Sequence, residues 1–141
     1  AIVSASLGDR PVYFAATWDG PDQLGLKPYL VRQGLAFKLN QGPPDSEAGN
    51  GIVPLPSSPR TGITGLWLDV DRTQTLVWDV FVHRGGLPGE WDLWPDRASR
   101  GIPSYYSWAH YSLVEWATQS DLEGEVTRNR DKAEAWALLS R

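Results

Sequence analysis

Residues 101–117 read GIPSYYSWAHYSLVEWA. Pro103 suits the first turn of a helix, where its missing N–H costs nothing. Three tyrosines, two tryptophans and one histidine then follow at helical spacing, over roughly four and a half turns. Tyr105, Ala109, Ser112, Leu113, Trp116 and Ala117 fall on one stripe, which is the predicted inward face. Tyr106, Trp108 and Tyr111 flank it as the outer edges. A helix so rich in rings fills a core, lines a ligand site or presents a docking face, and these residues favour the first and third uses.

Working outward, the chain breaks at SDLEGE (120–125) and resumes with VTRNRDKAEAWALLSR (126–141). Val126, Ala133, Trp136, Ala137 and Leu139 make a second amphipathic helix. Alanines on both helices allow close approach, so 102–140 is predicted to be an antiparallel hairpin of the kind used in tetratricopeptide repeats. One hairpin is not an array, because solenoids need about three repeats to bury their own core.

Towards the N-terminus, the loop GGLPGEWDLWPDRASRG (85–101) is preceded by DRTQTLVWDVFVHRG (71–85). Leu76, Val77, Val80 and Phe81 predict a helix over 71–84, capped by Asp71 or Thr73, with His83 and Arg84 in its last turn and Gly85 as its stop. GLWLDV (65–70) reads as a further strand. Residues 41–62, rich in Gly, Pro and Ser, read as a long loop without a regular element, and its IVPLP centre as an extended segment lying on a surface. RPVYFAATW (10–18) reads as a buried strand, Tyr29–Gln33 as a short helix started by Pro28 and closed by Gly34, and LAFKLN (35–40) as a half-buried strand.

The expected fold is therefore α+β: a small sheet of two to three strands packed against one helix and the C-terminal hairpin. It forms a single domain over 1–141, with a strand-helix-strand unit at 1–40, the loop at 41–62, a strand and helix at 63–84 and the hairpin at 102–140. A chain of 141 residues can bury about two thirds of its unfolded surface in one domain. Cysteine is absent, which removes disulfides, thiolate metal sites and thiol catalysis. The net charge of −4 with scattered Lys and Arg argues against a nucleic-acid partner. No apolar run reaches the roughly 20 residues needed to cross a bilayer, so no transmembrane segment is expected. Eight tryptophans are too many to seal inside completely, since each indole N–H needs a partner. Several indole edges are expected at the surface.

The chemistry-bearing residues are few. DVD (69–71) has the form of a carboxylate pair for a divalent cation, but Asp71 is equally placed to cap the following helix, and capping is the preferred reading. EWDLWPD (90–96) sets Glu90, Asp92 and Asp96 beside Trp91 and Trp94, the mixture found where indoles stack on sugars and carboxylates bind hydroxyls. An ordered loop lidding the core is the competing reading. His83 and His110 are the only histidines. Neither has a nucleophile or metal-spaced partner, and His110 is expected to hydrogen-bond at the edge of its helix. Arg10, Arg32, Arg72 and Arg97 are expected in surface or loop-pinning ion pairs. No cofactor is called for.

Four stretches occur together in order: Arg10–Ala15, Leu24–Leu39, Asp69–Thr73 and Asp96–Trp116. Together they resemble the last, extramembrane part of a bacterial family of polytopic, GT-C-type glycosyltransferase-like proteins, related to the protein O-mannosyltransferases that carry a tetratricopeptide region. Gln33 stands where that family has an acidic residue. The resemblance implies a periplasmic domain beyond a multi-spanning membrane region, either processed from a longer chain or existing as an independent subunit. The expected function is a non-catalytic module, docking on the extracytoplasmic face of a membrane protein complex such as a respiratory or photosynthetic assembly. Its contact residues would be Trp91, Trp94, Tyr106, Trp108, Tyr111, Ile52, Val53 and Leu55. The alternative is the carbohydrate- or acceptor-binding part of a membrane glycosyltransferase, working through Glu90, Asp92 and Asp96.

Overall fold

The computed structural model describes residues 5–17, 23–45, 49–57, 65–81 and 96–140. It is α+β and divides into two compact units, Ala1–Thr73 and Gln74–Arg141.

The first unit carries a mixed sheet of five strands rather than two or three: β1 Val12–Ala15, β2 Leu30–Gln33, β3 Ala36–Leu39, β4 Ile52–Pro54 and β5 Trp67–Asp69, in the order β1-β3-β2-β5-β4. The β2–β5 pair is parallel and the others are antiparallel. Leu30, Val31, Leu39, Leu55, Leu68 and Val70 are buried.

Three sequence expectations change here. The stretch 10–18 forms an edge strand, β1, whose residues alternate between half-buried and exposed; an edge strand has a partner on one side only, so it is not a buried core strand. Pro28 starts only a single 3-10 turn, Lys27–Tyr29, after which Leu30 turns extended. The residues read as a helix are strand β2, because Gly34 serves a hairpin instead of a helix end. With φ of 61°, it occupies the first central position of the two-residue turn into β3, where a left-handed residue matches the twist of the strands. Finally, the long Pro/Gly segment does hold a regular element. β4 pairs antiparallel with β5, and Leu55 N–H donates to Leu66 O at 2.7 Å.

Helix α1, Val70–Thr75, follows β5 directly. Its cap is Asp69, not Asp71 or Thr73: Asp69 Oδ1 accepts from Arg72 N–H at 3.1 Å, while Oδ2 accepts from Gln33 Nε2 at 2.8 Å. Thr73 is fully buried and its Oγ1 accepts from Gly34 N–H at 3.1 Å, tying the hairpin turn to α1. The helix expected to run to residue 84 widens into a π turn at Leu76–Val80, closed by Phe81 N–H donating to Leu76 O at 2.8 Å, and Phe81 is extended. His83 and Arg84 lie outside the described residues.

The second unit is built on α2, Ile102–Gln119, and α3, Glu123–Leu139. Pro103 sits in the first turn of α2 as expected. Ser107 Oγ donates to Ala133 O at 2.8 Å, and His110 faces Asn129, so partners run in opposite directions along an antiparallel hairpin. Ala109, Ala117 and Ala133 are completely buried; the small side chains let the two backbones come close.

The turn between the helices has one non-glycine residue in left-handed conformation, Asp121 with φ of 54°. Leu122 N–H donates to Ala117 O at 2.9 Å and Asp121 N–H to Thr118 O at 3.4 Å, the paired bonds of a Schellman cap. That cap prefers glycine, because a Cβ in this conformation costs about 1 kcal/mol. Asp121→Gly is therefore expected to stabilise the protein by about 0.5–1 kcal/mol in urea unfolding; a loss of stability would contradict the backbone reading.

Candidate functional site

The polar centre of the hairpin is Asn129, which is fully buried. Its Nδ2 donates to Glu125 O at 3.0 Å and Glu125 Oε2 at 3.2 Å. With the amide nitrogen so engaged, Oδ1 is left towards His110 Nδ1 at 3.0 Å. An amide oxygen only accepts, so His110 carries its proton on Nδ1 and donates it. The histidine is 3% exposed. Its expected place at the edge of the helix is thus corrected: it lies between the helices, where a polar side chain is stable only when hydrogen-bonded.

The π turn brings Trp78 against this pair. The indole meets the His110 ring edge-on, with centroids 5.1 Å apart at 74°, and the Arg128 guanidinium stacks over Trp78 at 3.8 Å. Arg128 also approaches Glu125 Oε1 at 3.5 Å. Trp78 Nε1 is buried without a hydrogen-bond partner among the described residues. Sequence reasoning missed this assembly because the regular helix assumed over 71–84 gives no hint of a π turn.

The candidate contact residues that are described separate into three groups. Trp108 is 41% exposed, with Tyr105 meeting it edge-on at 5.3 Å and 88°; Ile102, one turn of helix before Tyr105, is also exposed. Tyr111, Ile52 and Val53 are half-buried. Tyr106 is half-buried as well; it stacks on Trp136 at 4.6 Å and 20° and meets Phe81 edge-on at 5.7 Å, so part of its ring is taken up by the hairpin's own packing. Leu55 is 4% exposed, since the strand pairing next to it turns its side chain inward. Trp91 and Trp94 lie outside the described residues.

Of the proposed sugar-contact carboxylates, Glu90 and Asp92 also lie outside the described residues. Asp96 Oδ1 accepts from Ser99 N–H and Oδ2 from Ser99 Oγ, both at 2.8 Å. These bonds hold its carboxyl below the ordinary value and give it a local capping role before α2. In DVD, Asp69 has both oxygens engaged, which leaves no open carboxylate pair. Among the described residues no group of three or more His, Cys, Asp or Glu side chains comes together to hold a metal ion.

Arg32 is the least expected placement. It lies on the face of the sheet shared with Phe37 and Leu68 and is 4% exposed, not in a surface ion pair. Its Nε donates to Gly34 O at 3.0 Å and its guanidinium sits 5.7 Å from the Phe37 ring. Nη2 has no partner among the described residues. In the sequence only its place in a strand reading leucine, valine, arginine, glutamine could flag it, and the flanking Pro28 and Gly34 make that stretch read as a helix.

No family model, curated protein or solved structure matches the chain.

Two expected outcomes follow from the buried polar groups. Asn129→Ala strands the His110 N–H and opens a cavity, so it is expected to cost about 2–3 kcal/mol in urea unfolding; a change under 0.5 kcal/mol would contradict the pin. Burial lowers the Arg32 pKa to about 10, so the unfolded chain holds this proton more tightly than the fold does. The resulting destabilisation is fully present below pH 10 and is relieved as pH rises beyond it. Arg32→Met is expected to stabilise the protein by about 1–3 kcal/mol at neutral pH, with the gain shrinking above pH 10; a net loss would show that the charge has a partner.

Proposed function

We propose that this chain is a non-catalytic interaction module that docks through the outward face of α2 onto the extracytoplasmic side of a membrane protein complex. The observation that carries the reading is Trp108: a large indole left 41% exposed in mid-helix, with a tyrosine set against its edge. Tryptophan and tyrosine are the side chains most enriched where interfaces concentrate their binding energy, because a rigid ring buries a large area at low entropic cost. Ile102 and Trp108 are both exposed on α2, while Tyr106 and Trp136 stack on each other within the hairpin.

The location and the class of partner rest on the resemblance to the extramembrane part of GT-C-type membrane proteins, within which the α2–α3 hairpin reads as a single tetratricopeptide-like unit. No helix among the described residues is long and apolar enough to cross a membrane. A peripheral subunit of a respiratory or photosynthetic assembly would be one such use.

The test is affinity capture from detergent-solubilised membranes of the source cells. The wild-type chain is expected to recover one membrane complex in stoichiometric amount. Trp108→Ala is expected to weaken recovery by at least about tenfold, the effect of truncating a central aromatic contact, while leaving the thermal midpoint within a few degrees. Equal recovery by both proteins, or none by the wild type, would refute the reading.

A further inference from the structure

The two edges of the five-stranded sheet differ in one respect that bears on association. At the β4 edge, the outward donors are silenced: Pro54 has no N–H, and Ile52 N–H donates to Asn50 Oδ1 at 3.1 Å. Natural sheets blunt edges by such means, because an open row of N–H and C=O groups invites another strand.

Among the described residues, the β1 edge has no such protection. Ala16 N–H donates to Leu35 O at 3.1 Å, in register with the Val12–Leu39 and Phe14–Phe37 pairs. The even-numbered residues therefore spend their backbone groups on β3, and the N–H and C=O of Tyr13 and Ala15 point away from it. Neither residue has a hydrogen bond on that side among the described residues. Both side chains are exposed, Tyr13 at 50%, and residues 12–17 carry no charge.

We propose that β1 is a strand-addition site whose occupant is β1 of a second copy, related by a two-fold axis at Phe14. In that antiparallel register, Tyr13 of each copy lies opposite Ala15 of the other. Both open pairs then exchange their bonds, giving four hydrogen bonds. The large phenol ring of one strand lies over the small methyl of the other, a cross-strand fit that occurs twice by symmetry. Moving the axis to Tyr13 sets ring against ring and brings Pro11, which has no donor, opposite Ala15. Moving it to Ala15 leaves both tyrosines without their small partner. The surface is thus complementary to itself, and joining two copies gives a continuous ten-stranded sheet. The strands cover less than the about 1,200–2,000 Å² of a standard interface, so the association is weak and concentration-dependent. This site lies on the sheet and is independent of the role assigned to Trp108.

Sedimentation equilibrium between about 10 μM and about 1 mM spans the affinity range of such a contact. The average mass of the wild type is expected to rise from 15.6 kDa towards twice that value. Two substitutions keep the bonds to β3. Ala15→Pro removes only an outward N–H, and Tyr13→Lys places like charges on the shared edge; both are expected to stay monomeric, with unchanged circular dichroism. Amide exchange at Tyr13 and Ala15 is expected to slow with concentration in the wild type. A wild type that remains monomeric to 1 mM, as it would if this edge served an extended segment of another protein, overturns the proposal. So does a dimer that survives both substitutions.

Discussion

The hydrogen bond from His110 to Asn129 is the constraint that orients the second unit. An α-helix turns about 100° per residue, so holding His110 inward against α3 dictates where every other ring of α2 points. Tyr106 falls on the same side and stacks on Trp136. Trp108, two residues away and roughly 200° around the axis, has to face outward. Apolar packing alone would tolerate small rotations of one helix on the other. A buried amide with both ends engaged does not, since each misplaced polar group loses its partner in a medium that offers no water.

The first unit rests on an analogous set of polar ties, concentrated at one hairpin turn. Gly34 N–H donates to Thr73, Gly34 O accepts from Arg32, and the neighbouring Gln33 donates to Asp69, which also caps α1. One left-handed glycine thus joins β2, β3 and the start of α1. Gly51, with φ of 73°, does a related job at the entry to β4: a Cβ there would come within 3.3 Å of Asp71 Oδ2. The cost of the arrangement is carried by Arg32, whose charge is held among apolar side chains with only part of its hydrogen-bonding capacity met.

Periodicity made the hairpin legible. Of the stripe read from the sequence, Ala109, Ser112, Leu113 and Ala117 are buried while Tyr105 and Trp116 are only half-buried; Ala133 and Trp136 are buried on α3. The sheet was legible in three of its five strands, at 12–15, 36–39 and 67–69, where short apolar or alternating runs are bounded by turn residues. Tyr29–Gln33 misled because a Pro-start and Gly-stop pattern fits a helix and a hairpin equally; pairing with β3 and β5 decided between them. β4 was hidden because three residues containing a proline carry no strand signal until a neighbour supplies the bonds. The site was less legible than the fold. A histidine and an asparagine 19 residues apart, brought together by helix pairing, have no local signature, and Tyr106 and Trp108 cannot be told apart by composition.

The proposed docking turns on which aromatic surface remains after both interiors are satisfied. Trp136 is buried in the hairpin, Trp78 is held between His110 and Arg128, and Trp108 stays 41% exposed. The most direct measurement is fluorine NMR on 5-fluorotryptophan-labelled protein with a soluble paramagnetic agent. The account predicts strong line broadening for Trp108 and little for Trp136. A Trp108 resonance as protected as that of Trp136 would contradict it, because α2 would then be rotated away from the orientation that the His110–Asn129 bond requires.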